Sequence, residues 1–207
     1  RCAAVIQAWY TGEEGGHAVA DILYGRISPS AKLSVSYPNT EIDEPICYNE
    51  KIEQDERIEW PFGYGLTYTQ FSYGNLNMVK ESPTDNDAVE LTFTLTNAGK
   101  MKADEVAQIY LSPTDKKQPI RPIQLQGFAR VTLEPGETKT VGIKLYTEQF
   151  GYYSNNGKRQ WNVDPGKYEV KVASSSQDIR LKQTIVLKGK KITKPLREHY
   201  FSVATVK

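Results

Sequence analysis

The sequence contains few of the residues that build disulfide frameworks and metal sites. It has two cysteines, Cys2 and Cys47, and two histidines, His17 and His199, in 207 residues. Two cysteines can form one bridge at most, and a pair of free thiols is the simpler interpretation. Neither histidine has a cysteine at zinc-ligand spacing. We therefore predict no disulfide scaffold, no metal site and no cofactor.

The sequence also lacks an excess of one charge and a long apolar run. Its 26 basic and 25 acidic side chains give a formal net charge of +1, whereas nucleic-acid-binding domains usually carry a strong basic excess. No stretch approaches the roughly 18 consecutive apolar residues of a membrane-spanning helix. Nucleic acids and membranes are therefore not expected partners. A composition of 39% hydrophobic and 25% charged residues is typical of a globular protein.

Residues 1–38 have the pattern of one β-α-β unit. Residues 3–8 (AAVIQA) form a short apolar run, and residues 15–24 place apolar side chains at helical spacing before the helix stop Gly25. Residues 32–38 (KLSVSYP) alternate apolar and polar side chains, as a strand does. One such unit cannot cover both faces of its sheet. We therefore expect it to be the last piece of a larger α/β domain, with any targeting signal upstream.

The following residues are predicted to form a connector and an antiparallel β-sandwich. Residues 39–70 show no clean period and contain the aromatic run WPFGYGLTY. Residues 71–188 alternate with a period of two in several short segments, separated by the turn sequences EPGE and DPGK. Six or seven short strands with such turns are typical of an antiparallel β-sandwich. The alternation is clearest in VELTFTLTN, TVGIKLY, YEVKV and IRLKQTIVL.

Residues 189–207 form a basic C-terminal tail. Five cations lie between positions 188 and 197, and the simplest interpretation of such a run is a solvated face. Two aromatic residues near the end, Tyr200 and Phe201, indicate that the end of the tail docks back onto the protein.

The glycine-rich loop TGEEGG at residues 11–16 stands between a predicted strand and a helix, where many proteins bind nucleotides. It matches neither nucleotide-binding glycine pattern. It also carries Glu13 and Glu14, whose charges would repel a phosphate. Two roles stay open for these carboxylates. They can complement the helix dipole, which is the simpler interpretation, or they can accept hydrogen bonds from sugar hydroxyls.

Several motifs together resemble the C-terminal part of family 3 glycoside hydrolases, the β-glucosidase and β-xylosidase group. The first is IQAWYTGEEGGHAVADILYGRISPSAKLSVSYP, which resembles the end of the family's second, α/β sandwich domain. The second is WPFGYGLTYTQFSY, which resembles the junction that follows it. The segments LTNAGK, DEVAQIYLS, LQGFARVTLEPGETKTV and WNVDPGKYEVKVASSSQDIRL resemble the family's fibronectin type III-like domain. The resemblance covers about 190 residues in order.

The resemblance implies a retaining, exo-acting enzyme that hydrolyses β-linked oligosaccharides and is secreted or periplasmic. In the family, the nucleophilic Asp lies in an N-terminal barrel, and the acid/base Glu usually lies upstream of the Ala-Trp motif. No residue of this sequence is therefore assigned a catalytic role. Adjacent carboxylates such as Glu13 and Glu14 diverge, whereas a retaining pair must flank one bond. Glu14, with Trp9, is expected to bind substrate or support the cleft.

The aromatic residues of the junction are predicted to pack between the two domains, since the glycines and Pro61 of the junction favour a chain that folds over on itself. These residues are Trp60, Phe62, Tyr64, Tyr68 and Phe71. A platform for sugar rings is the alternative. For the whole chain, two further functions stay open: a binding module that recognises carbohydrate or protein, and a structural spacer. A free-standing sandwich would not need the Glu-Gly-Gly loop and the junction, which favours the glycosidase.

Overall fold

The computed structural model describes residues 2–39, 57–79, 88–115, 123–154 and 159–207. Within these ranges one short α-helix precedes a series of antiparallel strands. None of the described helices combines the length and the apolarity needed to cross a bilayer. Cys2 is a free, exposed thiol, whereas Cys47 and the first part of the predicted connector lie outside the described residues.

The predicted helix is present as α1, Gly15–Leu23. It ends at Gly25, whose φ of 69° lies in the left-handed region that a side chain disfavours. The Gly25 N–H donates to the Ile22 carbonyl at 3.0 Å, and the Arg26 N–H donates to the Asp21 carbonyl at 2.8 Å. These are the two hydrogen bonds of a Schellman motif. The helix stop predicted at Gly25 is therefore confirmed.

The two strands predicted on either side of α1 differ from the structure. Residues 3–8 form no strand, and within 32–38 only Tyr37–Pro38 (β1) pairs, with Ile58–Trp60 (β2). A strand exists only where a neighbour supplies hydrogen-bonding groups, and the described residues offer none to residues 3–8. The segment around residue 33 instead bonds to the junction. The fold class holds as a partial α/β segment followed by a fibronectin-like sandwich.

Two four-stranded antiparallel sheets form the sandwich. The first has the order β13–β7–β4–β3, and the second has the order β11–β10–β5–β6. Their strands are Phe71–Val79 (β3), Ala88–Asn97 (β4), Ala103–Pro113 (β5), Gln124–Leu133 (β6), Thr138–Tyr146 (β7), Gly166–Ala173 (β10), Ile179–Leu187 (β11) and Val203–Val206 (β13). A third, three-stranded sheet has the order β12–β9–β8 and consists of Tyr152–Ser154 (β8), Gln160–Val163 (β9) and Ile192–Lys194 (β12).

The core lies between the two large sheets and consists of the apolar side chains that alternate along the strands. On β4 these are Val89, Leu91, Phe93 and Leu95, each at most 1% exposed. The predicted alternation of β7 and β10 is confirmed in the same way, and β11 spans the predicted IRLKQTIVL. Burying each such side chain contributes about 1.5–3 kcal/mol relative to exposure, so these strands hold the sheets together.

The turn predicted at EPGE is present. Gly136 has a φ of 77°, and the Glu137 N–H donates to the Glu134 carbonyl at 3.0 Å. At DPGK the predicted turn is not present as such, because strand β10 already begins at Gly166.

The predicted basic tail contributes β12 and β13 to the sheets, and the expectation of a solvated basic face was wrong at Lys194. Lys194 is not solvated, because its ammonium group contacts the buried Glu148 at 2.6 Å. The end of the chain does dock back onto the protein, as predicted, through main-chain pairing of β13 with β7. Tyr200 and Phe201, which indicated this docking, are themselves 58% and 84% exposed, because the edge of β7 supplies hydrogen bonds that exposed rings cannot.

Candidate functional site

The Glu-Gly-Gly loop is a tight reversal just before α1. Trp9 has a φ of 50° and Gly12 has a φ of 67°, so two residues of this short segment lie in the left-handed region. The Gly15 N–H donates to the Gly12 carbonyl at 3.2 Å, and a Cβ on Gly15 would collide with the Thr11 side chain. The glycines therefore serve the geometry of the reversal, and no phosphate is needed to explain them.

The carboxylates of the loop point to solvent. Glu14 occupies the N-cap position of α1, but its side chain makes no capping hydrogen bond. It is 84% exposed, and its Oε2 lies 2.7 Å from Nδ1 of His17. Glu13 is also exposed. The two residues named for the cleft, Trp9 and Glu14, thus lie on one exposed loop, and their role stays a prediction.

An exposed apolar surface adjoins this loop. It consists of Val5, Ile6, Trp9 and Tyr10, which are 61%, 45%, 63% and 103% exposed. Single exposed apolar residues are ordinary, but four in six consecutive positions form a patch of the kind that marks a contact surface. We refer to these four residues as the N-terminal apolar surface.

Residues 61–70 of the junction are bonded on one side to the first segment of the chain, residues 2–38. The Leu33 N–H donates to the Tyr64 carbonyl at 2.8 Å, and the Gly63 N–H donates back to the Leu33 carbonyl at 2.7 Å. Ser28 accepts the Tyr68 N–H at 2.9 Å and shares a hydrogen bond with Thr67. The backbone of the junction therefore acts in the place of a neighbouring strand.

On its other side the junction is bonded to the sandwich. The Gln108 side chain donates to the Gly63 carbonyl at 3.0 Å, and the Ser176 N–H donates to the Phe62 carbonyl at 3.0 Å. Further along, the Thr69 hydroxyl donates to the side-chain oxygen of Asn97 at 2.6 Å. Because the same few residues bond in both directions, the junction fixes the first segment against the sandwich.

The aromatic residues predicted to pack between domains take several positions. Trp60 lies beside Tyr37, with ring centroids 6.0 Å apart, and Phe71 packs against the sandwich core. Phe62 and Tyr64 are half-buried. Tyr68 is 50% exposed, and its hydroxyl donates to the Ile22 carbonyl at 2.9 Å. Their interdomain role stays a prediction, since the hydrogen bonds that join the junction to its neighbours are made largely by its main chain.

A buried ion pair reinforces this contact. Nζ of Lys32 lies 3.1 Å from Oε1 of Glu105 on β5, and the two side chains are 11% and 4% exposed. The Tyr73 hydroxyl donates to the same carboxylate at 3.0 Å. Burial and the Glu105 charge raise the pKa of Tyr73 far above its usual value, so this hydroxyl keeps its proton and stays a donor.

In the described part of the chain, two carboxylates and a histidine lie close together. Glu148 and Glu198, with His199, bring ligand atoms within 4.8 Å of one another. Burial alone would raise the pKa of Glu148. The hydrogen bonds from Lys194 and from the N–H groups of His199 and Glu198 outweigh it and lower the pKa to about 2. The ammonium group of Lys194 already neutralises this carboxylate, so the cluster suits neither a cation nor a proton donor.

The polar residues that organise these contacts were not predicted from the sequence. They include Ser28, Lys32, Asn97, Glu105, Gln108 and Glu148, most of which are almost fully buried. One signal was available on β5, where residues on both faces of the strand are buried. A glutamine within such a strand needs partners on the face away from the core.

Two family models match the chain. Residues 1–68 match the glycosyl hydrolase family 3 C-terminal domain, and residues 105–176 match a fibronectin type III-like domain.

Related proteins agree with these matches. A β-glucosidase of Kluyveromyces marxianus is 36% identical over 198 residues, which cover 85% of this chain and 23% of that enzyme. An exo-α-(1→6)-L-arabinopyranosidase of Bifidobacterium breve is 34% identical over 214 residues, which cover 94% of this chain and 28% of that enzyme. The crystal structure of the Kluyveromyces marxianus β-glucosidase superimposes with a TM-score of 0.79 at 33% identity, covering 91% of this chain and 25% of that one. The chain thus spans about a quarter of the length of the curated relatives it matches.

Proposed function

The chain belongs to glycoside hydrolase family 3, and on that premise we propose that it is the C-terminal part of a retaining, exo-acting β-glycosidase. The enzyme would hydrolyse terminal O-glycosidic bonds of β-linked oligosaccharides. This chain would support the cleft, while the catalytic carboxylates lie in other segments. The observation that carries the proposal is the N-terminal apolar surface beside the Glu-Gly-Gly loop.

Among the described residues, the closely spaced carboxylates Glu148 and Glu198 do not form the pair that a retaining glycosidase needs. Such an enzyme needs two carboxyl groups about 5 Å apart, one of which holds a proton near neutral pH. The pair Glu148 and Glu198 has suitable spacing, but Glu148 is an ion-paired anion whose pKa is lowered to about 2. Glu148 therefore cannot protonate a leaving group near neutral pH, and with its side chain only 4% exposed and paired with Lys194 it is not open to attack a sugar either. Glu14 contacts His17 and supports the cleft in this proposal.

The N-terminal apolar surface supports an interface with the rest of the α/β domain. Trp9 and Tyr10 are large aromatic side chains, the type that dominates buried interfaces. Burying Tyr10, now fully exposed, and its neighbours would contribute about 1.5–3 kcal/mol each. The adjoining Glu14 loop would then lie at the edge of that interface, where an α/β domain binds its ligands.

The first test compares the complete enzyme with this chain on nitrophenyl β-glucoside and β-xyloside. We expect turnover by the complete enzyme and none above a buffer blank by this chain, because in this proposal the catalytic carboxylates lie in other segments of the enzyme. Turnover by the isolated chain would refute the proposed division of labour. Titration calorimetry with cello- and xylo-oligosaccharides tests the alternative function. Micromolar binding by the isolated chain would favour a carbohydrate-binding module.

The second test addresses the interface. Tyr10→Ser should leave the melting temperature of the isolated chain unchanged, since the side chain is exposed there. In the complete enzyme the same change should lower the melting temperature by several degrees. Phe201→Ser is a matched control, because Phe201 is also an exposed aromatic residue but lies far along the chain on the tail. Equal effects of the two changes in the complete enzyme would contradict an interface at Tyr10.

A further inference from the structure

We propose that the buried ion pair between Lys32 and Glu105 positions the Glu14 loop, so that the β-sandwich sets the geometry of one wall of the cleft. This inference rests on the proposed function. It gives the sandwich a part in the reaction through positioning residues that never touch the sugar.

The ion pair is a point at which three parts of the chain meet. Lys32 belongs to the first segment, and its ammonium group contacts Glu105 of the sandwich at 3.1 Å. The same ammonium group donates to the Gly65 carbonyl of the junction at 3.4 Å. The Tyr73 hydroxyl of β3 donates to Glu105 from the opposite sheet. Among the described residues, the Lys32–Glu105 contact is the one direct side-chain ion pair between the first segment and the sandwich.

Burial makes this contact specific. An apolar contact changes little when its two surfaces slide by a fraction of an ångström, whereas a buried charge without its partner is strongly unfavourable. With the Lys32 and Glu105 side chains only 11% and 4% exposed, little water reaches either partner. The ion pair therefore favours one position of the first segment over nearby ones.

Close packing of the main chain adds to this restriction. A Cβ on Gly65 would collide with the Ala31 carbonyl oxygen and approach Cδ of Lys32 at 3.1 Å. The junction glycine therefore lets the two backbones touch directly beside the ion pair. The segment that carries Lys32 has little room to shift without breaking the contact.

Helix α1 connects this contact to the Glu14 loop. The C-terminal end of α1 is held by the Tyr68 hydroxyl on the Ile22 carbonyl, and Ser28 just beyond it bonds to the junction. Its N-terminal end carries Glu14. The nine residues of α1 span about 13 Å. A tilt of the helix by about 5° about its held end would therefore move the Glu14 loop by about 1 Å. A misplacement of about 1 Å in an active site can lower the rate by about 100-fold.

The test uses the complete enzyme with Glu105→Gln, which keeps the acceptor for Tyr73 and removes the charge that faces Lys32. We expect kcat on nitrophenyl β-glucoside to fall at least 10-fold with a smaller change in KM. We also expect hydrogen exchange of residues 11–24 to become faster. Glu134→Gln is the matched control, because Glu134 pairs with Lys102 on the exposed surface of the sandwich. It should change neither quantity.

Each outcome decides the inference. Kinetics and exchange that match those of Glu134→Gln would overturn it while leaving the proposed function intact. Failure of the unaltered complete enzyme to hydrolyse any glycoside would refute the proposed function, and the exchange of residues 11–24 would still decide whether the ion pair holds α1. Should Glu105→Gln fail to fold, the double variant Lys32→Met/Glu105→Gln leaves no unpaired buried charge and takes its place in both measurements.

Discussion

Replacing Glu148 by glutamine removes a charge on which the C-terminal tail depends. The carboxylate accepts a hydrogen bond from the Lys194 ammonium group at 2.6 Å. It also accepts hydrogen bonds from the main-chain N–H groups of Glu198 and His199, at 2.8 Å each. Although burial opposes ionisation, these donors lower the pKa of Glu148 from its ordinary 4.5 to about 2. That lowering corresponds to about 3 kcal/mol of folding free energy at neutral pH. This value agrees with the loss of about 3–5 kcal/mol in folding free energy that is typical when one partner of a buried ion pair is removed.

The sign of the pH dependence follows from the direction of this pKa. Because the folded protein favours the charged form of Glu148, the contribution is fully present above about pH 4.5. It is lost progressively as the pH falls toward about 2. Glu148→Gln should therefore lower the free energy of unfolding by about 3 kcal/mol at pH 7. The difference from the unaltered chain should approach zero near pH 2.

Urea denaturation of the isolated chain, followed by tryptophan fluorescence at pH 7, 5, 3.5 and 2.5, measures this difference. Trp161 is a local reporter, because its indole N–H donates to the Glu148 carbonyl at 2.9 Å. Glu134→Gln serves as the control, since its ion pair is exposed and should contribute less than about 1 kcal/mol. A difference for Glu148→Gln that is below about 1 kcal/mol at pH 7, or that does not change with pH, would refute the reasoning.

Three further substitutions test other parts of the fold in the isolated chain. Asn97→Ala removes four hydrogen bonds of a fully buried amide. Urea denaturation should show a free energy of unfolding lowered by about 2–4 kcal/mol, and a loss below about 1 kcal/mol would contradict this. Gly63→Ala, at a φ of 79° and against the Gln108 side chain, should lower the melting temperature. The control Gly16→Ala, in open space on α1, should raise it slightly, so equal shifts would count against the argument. Leu91→Ala in the core should lower the free energy of unfolding by about 2–5 kcal/mol, measured by urea denaturation. The control Leu66→Ala, at an exposed position, should lower it by less than about 1 kcal/mol. Comparable losses for the two changes would show that the assigned core is wrong.

Part of the candidate site was predictable from local sequence. The reversal before α1 follows from closely spaced glycines, and the N-cap position of Glu14 follows from its place before an apolar helical pattern. The contacts of Lys32 were not predictable. A lysine in an alternating segment is ordinarily solvent-facing, and only the approach of β5 shows that it meets Glu105.

The predicted strand at residues 3–8 failed for a different reason. Its apolar run was identified correctly, since Val5 and Ile6 are apolar side chains that ordinarily lie inside a protein. In this chain, however, both are exposed. Apolar composition describes what a segment would bury, but pairing requires another strand at hydrogen-bonding distance. No pattern within the segment can supply that neighbour.

The sequence by itself determined the sandwich strands β4, β7, β10 and β11, the helix stop at Gly25 and the turn at Gly136. Each of these depends on side-chain period or backbone freedom within a few consecutive residues. The tertiary structure alone decided which buried polar groups meet, as Glu148 does with the tail and Glu105 with Lys32. The physical reason is that a buried charge is stable only with a partner, and chain topology brings that partner from a distant part of the sequence.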